Sequence, residues 1–387
     1  MTVDRAWVER NLGFDPLTTL PPSTAFAIKG AAAPAPSMKD IEREIIDFDS
    51  EAPAGREFLA FTTATGLSRY TNVKWPAGLQ PKTDAVARKG KAGRLPKADV
   101  LIVTWTVDEG HALSRVLTPG KDSRNDYRPY KRNYASISRK MSAGSPARIA
   151  KRLGAYWTTV IAKKRVVVFK SDSHLSQDTR KLPQHGGTLP NEDVWKQIID
   201  DVKPSLVITT GTAGGIGSQC QVGDVVVSPI VRFDCKKWLR SVPFHNANFQ
   251  DGVPVTKYFA TAKSLFKANA GQLPKDNKRP PNITLSARLS SSVLTTDFFG
   301  FDTSNNHFGL KNLGDVSEMG DAMLGKVASQ MGSSAPRWIA VRNVSDPQIK
   351  AIGTIEQQAQ LAAQIYKGFG RWSSVCSAIV CWALVVP

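Results

Sequence analysis

The stretch Ser205–Asp234, SLVITTGTAGGIGSQCQVGDVVVSPIVRFD, places two apolar, β-branched runs on either side of a glycine-dense segment. "LVIT" is too short for a helix and reads as a buried strand. Gly211, Gly214, Gly215 and Gly217 follow, with hydroxyls from Thr210 and Thr212. Glycine lets a ligand approach the main chain, and successive exposed N–H groups at a strand end form a nest for a polar or anionic group. A plain turn is the other reading. The segment is neither a G-x-G-x-x-G fingerprint opening a helix nor a P-loop ending in GK[ST], and "VGDVVVSP" begins another strand at once. That argues against a nicotinamide or P-loop nucleotide site.

Strands and helices alternate outward from this centre. "VLIVTW" is a strand and "DEGHALSRVL" a helix with acids in its first turn. "KRVVVFKSD" is a strand, and "NEDVWKQIIDDVKP" a helix capped by Asn191 and stopped before Pro204. "VPVTKYFATAKSLFKANA" is a helix, "NITLSARLSSSVLTTDFFGF" has strand character, and "SEMGDAMLGKVASQMG" is a helix. "PRWIAVRNVSD" is a last strand, and the segment from Thr354 to about Leu384 is helical. The alternation predicts a three-layer α/β fold with ligands at the carboxyl ends of the strands. Residues 1–95 read as an appendage. "TTLPPSTAFAIKGAAAPAPSMKD" is linker-like, "DIEREIIDFD" offers a turn or two of helix and "EFLAFTTATG" a strand. Residues 96–387 form the main domain.

Composition narrows the function. Across 387 residues, Lys and Arg number 51 against 33 Asp and Glu, a net charge of +18. Thirteen basic residues and a single acid, Asp126, lie between Arg124 and Lys170. Such a field attracts anions, whether phosphorylated metabolites, nucleic acid or an acidic protein. A solubilising face is the alternative, and nucleic acid is not favoured because no known module or aromatic platform accompanies the charge. The four cysteines lack metal-ligand or disulfide-framework spacing, so no metal is expected. With no signal-peptide core and an apolar tail shorter than the roughly 20 residues a membrane helix needs, the expectation is a cytoplasmic protein without membrane partners.

Four stretches taken together, "LIVTWTVDEGHAL", "VITTGTAGGIGSQCQVGDVVVSP", "TTDFF" and "SEMGDAMLGKVA…WIAVRNVSD", resemble the purine nucleoside phosphorylase and nucleosidase superfamily, including the methylthioadenosine/S-adenosylhomocysteine and AMP nucleosidases. The resemblance runs from about Asp99 to about Leu384. It implies a nucleoside phosphorylase-like fold with a mixed central sheet flanked by helices, a homo-oligomer, no metal or organic cofactor, and cleavage of a purine nucleoside or nucleotide by water or, in a phosphorylase, by phosphate. A non-catalytic nucleotide-sensing or nucleic-acid-binding module is the alternative from another class.

Residue by residue, the resemblance implies that Asp346 engages purine N7, with Ser345 orienting the loop; a helix cap is the other reading of Asp346. It implies that Glu109 activates water, against its reading as an ordinary acid at a helix N-terminus. Thr210, Gly211, Thr212, Ala213, Gly214 and Gly215 would line the pocket floor. Phe299 would stack on the base, with core packing as its alternative, and Asp297 would be structural. The family's "EME" appears here as Glu318-Met319-Gly320, so the carboxylate that binds the sugar hydroxyls is missing. Asp321 is the candidate substitute, with Glu318 and Met319 beside it. Arg232, Arg342 and His174 are possible anion contacts.

Overall fold

The structure, a computed structural model, describes residues 36–49, 73–84, 93–118, 120–121, 126–175, 187–251, 253, 255–269 and 281–386. Its strands are β1 (Lys82–Thr83), β2 (Val100–Thr104), β3 (Arg128–Tyr130), β4 (Gly154–Ile161), β5 (Lys164–Ser171), β6 (Leu206–Gly215), β7 (Val225–Ser228), β8 (Ile230–Asp234), β9 (Asn248–Gln250), β10 (Ile283–Leu285), β11 (Ser292–Thr296), β12 (Gly314–Glu318) and β13 (Arg337–Asp346). The longer helices are α1 (Met38–Asp49), α2 (Val107–Leu117), α3 (Pro190–Val202), α4 (Val255–Asn269), α5 (Asp321–Met331) and α6 (Ile355–Val385).

The sheet is mixed, and β6 is its centre. One edge of β6 pairs in parallel with β13 from Leu206 to Gly214. The other edge pairs in parallel with β2 over Leu206–Thr209, then antiparallel with β12 at Gly214–Gly215. Beyond β2 lie β5 and β4; beyond β12 lie β11, β8 and β9; β13 continues into β7 and β10. Alternate residues of β2 feed two cores, as the pleat requires. Leu101 and Val103 join Val194, Ile198, Leu324 and Val327 of α3 and α5, whereas Val100 and Ile102 join Leu113, Leu265 and Ile379 of α2, α4 and α6. The architecture is therefore three-layer α/β.

Several local expectations need correction. The glycine segment is not a loop: β6 continues through Gly211 to Gly215, and its backbone is engaged in pairing with β13 and β12. β4 escaped sequence reading because its hairpin with β5 turns at Ala162 and Lys163, both at positive φ without the Gly or Asn that advertises such a turn. Pro229 splits "DVVVSPIVRFD" into β7 and β8. Asn191 is not a cap; α3 starts one residue earlier at Pro190, and the Asn191 amide donates to Ser173 Oγ at 2.9 Å. The strand expected over "EFLAFTTATG" lies outside the described residues.

Parts of the first 95 residues are built into the body. Ile41 and Ile45 of α1 are buried with Phe301, Ile349, Ala362 and Ile365. Trp75 lies 4.7 Å from the Trp382 ring, and the Trp382 indole N–H donates to Leu79 O at 2.7 Å. β1 pairs with β4, and Leu95 N–H donates to the buried Asp201 at 3.1 Å. A chain beginning at Leu95 is expected to lose roughly 5 kcal/mol or more, since each large apolar side chain contributes about 1.5–3 kcal/mol on burial. Urea unfolding of the shortened chain checks this; an unchanged midpoint would make the segment a separable appendage.

Candidate functional site

Four strand ends converge where β6 leaves β2 and joins β12. Asp346 closes β13 opposite Gly214, Glu318 closes β12, and Thr104 closes β2. Glu109 follows Thr104 in the first turn of α2, where "TVDE" forms a capping box: Thr106 Oγ1 accepts the Glu109 N–H at 3.2 Å, and Glu109 Oε2 accepts the Thr106 N–H at 2.9 Å.

Glu109 is buried and heavily bonded. Its Oε2 also accepts from Thr104 Oγ1 at 2.7 Å and Trp105 N at 3.0 Å, while Oε1 accepts Thr212 N at 2.8 Å and Thr212 Oγ1 at 2.7 Å. Burial opposes its ionisation, but Arg342 and the donors from Thr104, Thr106 and Thr212 outweigh it and hold the carboxyl below its usual value. These contacts explain Gly211: at φ +151, a Cβ there would lie 2.5 Å from Glu109 Cδ. The glycine gives room to a carboxylate of the chain itself.

Asp346 contrasts with it. It is equally buried, and its Oδ1 accepts only from Ser345 Oγ at 2.8 Å; Oδ2 makes no hydrogen bond among the described residues. Burial pushes this carboxyl up to about 7, with the Ser345 hydroxyl opposing weakly. Gly214 lies beneath: a Cβ there would sit 2.9 Å from Asp346 Oδ2 and 3.2 Å from Ser317 Oγ. Asp346 starts no described helix, so the capping reading has no helix to act on.

Arg342 of β13 binds the remaining acids. Its Nε donates to Asp321 Oδ2 at 2.8 Å and its Nη2 to Asp321 Oδ1, and Nη2 stands 3.1 Å from Glu318 Oε2. Arg342 is thus an ion-pair partner buried to 2% exposure, and Asp321 is engaged by it through both oxygens. Glu318 also accepts from the Thr295 hydroxyl, Gly320 N at 2.6 Å and Asp321 N at 2.9 Å. Burial and the Asp321 charge push Glu318 above its usual value. Trp105, which sequence reasoning missed, lies under Arg342, its ring centre 4.8 Å from the guanidinium carbon.

The remaining candidates divide. Phe298 is buried and Phe299 half-exposed, 5.7 Å from the Phe301 ring, with Gly300 between them. Asp297 accepts the backbone N–H groups of Lys236, Lys237 and Leu239 and so fixes the turn after β8. Ala213, Gly215 and the buried Thr210 lie along β6, and Met319 is half-exposed beside Glu318. His174 feels Lys170, Asp172 and Glu109, and burial with Lys170 lowers its imidazole to about 4, leaving it neutral near pH 7. Arg232 sits on β8, two strands from β12. Of the basic run from residue 124 to 170, Arg152 and Lys170 are buried on Asp172, at 2.7 and 2.5 Å. Among the described residues no group of three His, Cys, Asp or Glu is placed to hold a metal, and no helix is long and apolar enough to cross a membrane.

Most of this constellation, Gly211 and Gly214 with Asp346 and the Arg342 pairs to Asp321 and Glu318, falls in a segment that matches a known family model. Residues 184–369 match the Phosphorylase superfamily. No curated protein matches the chain. Among solved structures, it is similar to the 5′-methylthioadenosine/S-adenosylhomocysteine nucleosidase of Neisseria meningitidis in complex with methylthio-immucillin-A, at 17% identity and TM-score 0.47, over 74% of this chain and 98% of that one. It is also similar to the futalosine hydrolase of Helicobacter pylori, at 12% identity and TM-score 0.46, over 74% and 96%. A third is the S-adenosylhomocysteine nucleosidase of Streptococcus pyogenes with 5-methylthiotubericidin, at 16% identity and TM-score 0.46, over 76% and 98%. The matched segment contains Asp346, Arg342, Asp321, Glu318 and all of β6; Glu109 and Trp105 lie before it.

Proposed function

We propose that the chain hydrolyses the N-glycosidic bond of a purine nucleoside or nucleotide. The observation that carries this reading is Asp346: a buried carboxyl raised to about 7, with one oxygen unengaged among the described residues, at a strand end over Gly214. An acid of that kind suits proton donation to a departing purine. As the C1′–N9 bond breaks, its electron pair moves to the base, N7 takes the Asp346 proton, and the sugar carries the positive charge until water adds at C1′. Phe299, partly buried against the Phe301 cluster, would stack on the base with its remaining exposed surface.

Glu109 serves the water side through Thr212. With five donors on its two oxygens, the carboxylate has no lone pair left for a water. Thr212 is partly exposed and its hydroxyl donates to Glu109 Oε1, so an attacking water would give its proton to the Thr212 hydroxyl as the hydroxyl passes its own to Glu109. Thr212→Val is expected to slow turnover about 10–100-fold with the fold intact, whereas Glu109→Gln slows it by about 10²-fold and also lowers the melting temperature, because its amide NH2 cannot accept from the donors that one carboxylate oxygen now satisfies. Normal turnover in Thr212→Val would remove the relay.

The reading is tested by incubating the full chain with purine nucleosides and nucleotides, with and without phosphate, and measuring free base by chromatography. Release without phosphate, yielding free sugar, is the expected result. Strict phosphate dependence with a sugar 1-phosphate product would make it a phosphorylase, and no release from any substrate would refute the enzymatic reading.

A further inference from the structure

On the glycosidic-bond reading, the Glu318–Asp321 turn is where the resemblance would put the sugar. Position 320 is glycine, and a Cβ built there would lie 2.8 Å from Trp105 Cζ2 and 3.0 Å from Cε2. Indole carbons thus occupy the space that a side chain at 320 would enter. The ring is fixed in place: Arg342 covers one side, with its guanidinium carbon 4.8 Å from the ring centre, and Trp195 meets it edge-on at 6.2 Å. Apart from Asp346, which the base would occupy, the carboxylates around this turn (Asp321, Glu318 and Glu109) are already engaged. Both oxygens of Asp321 are engaged by Arg342. Glu318 accepts at Oε1 from the Thr295 hydroxyl and Asp321 N–H, and at Oε2 from Gly320 N–H. Both oxygens of Glu109 are engaged as well.

We propose that Trp105, seated against Gly320, determines sugar specificity by closing this side of the site with an apolar wall, so that 2′-deoxyribonucleosides are accepted at least as well as ribonucleosides. The inference rests on the glycosidic-bond reading above. A site that hydrogen-bonds a substrate hydroxyl rejects the analogue lacking it by about 10⁴–10⁵-fold, because its own polar groups are left unpaired. Here those groups are already satisfied within the protein, so removing the 2′-hydroxyl leaves nothing unpaired.

The test compares adenosine with 2′-deoxyadenosine, and inosine with 2′-deoxyinosine, on the full wild-type chain. kcat/KM is read from base release, and Kd from calorimetry on the Asp346→Asn variant. The deoxy substrate is expected to equal or exceed the ribo substrate in both measurements. A ribo preference of about tenfold or more, with base still released, would overturn this inference and leave the hydrolase reading standing. Neither binding nor cleavage of any of the four would overturn both. In Trp105→Ala/Gly320→Glu, where the ring is removed and a carboxylate supplied, the ribo-to-deoxy ratio is expected to rise at least about tenfold. An unchanged ratio in a folded double variant would also count against Trp105; if that variant does not fold, the wild-type ratios decide.

Discussion

Asp346→Asn is expected to reduce base release by at least about 10²-fold while leaving the fold as stable as before or more so. The sign follows from linkage. The folded-state value of Asp346, about 7, lies above the carboxylate's ordinary 3.8. The native state therefore binds the extra proton between those values, and stability from this group is present at low pH and lost as pH rises through about 7. Above that, the buried charge costs about 4 kcal/mol, from about three pKa units at 1.36 kcal/mol each. Asparagine cannot ionise, so the variant should melt at a higher temperature than wild type at pH 8 and at a similar one near pH 4. Wild-type turnover should fall as pH rises through about 7, because the acid form does the work. A variant that melts early but whose folded fraction turns over normally would make Asp346 structural.

The second large effect is on stability. Arg342→Met should destabilise the protein by about 3–5 kcal/mol, because it leaves Asp321 buried without its cation and removes the counter-charge of Glu318. Removing the stranded acid too, in Arg342→Met/Asp321→Asn, should recover more than half of that loss. Urea unfolding of the single and double variants measures both. A loss below about 1 kcal/mol in the single variant, or no recovery in the double, would show that the ion pair contributes little.

The layer order was legible wherever hydrophobic period and length agreed. β2 with α2, β5, α5 and β13 were all readable in this way, and the position of Asp346 at the end of β13 followed from them. β6 was legible only in its first half. Glycine composition suggests a loop, but here Gly211 and Gly214 make space for Glu109 and Asp346 while the strand stays paired with β13, which no local rule distinguishes from a turn. The Arg342–Asp321 pair joins residues 21 apart on different elements, so both looked available for substrate until their geometry was known. Trp105 left even less signal. Its role depends on the missing side chain at Gly320, more than two hundred positions away in sequence, and the absence was visible without what filled it.

The double pairing of β6 has a thermal consequence. Thr212, Gly214 and the groups above them ride on a strand held along one whole edge by β13 and on the other by β2 and β12. Local opening is cheapest where few hydrogen bonds and buried contacts must be given up, and this strand is the opposite case. Its amides should be among the last to exchange with solvent. Warming should therefore leave the reacting geometry intact until the sheet itself gives way, so that heat inactivation and loss of structure trace a single curve rather than activity fading first.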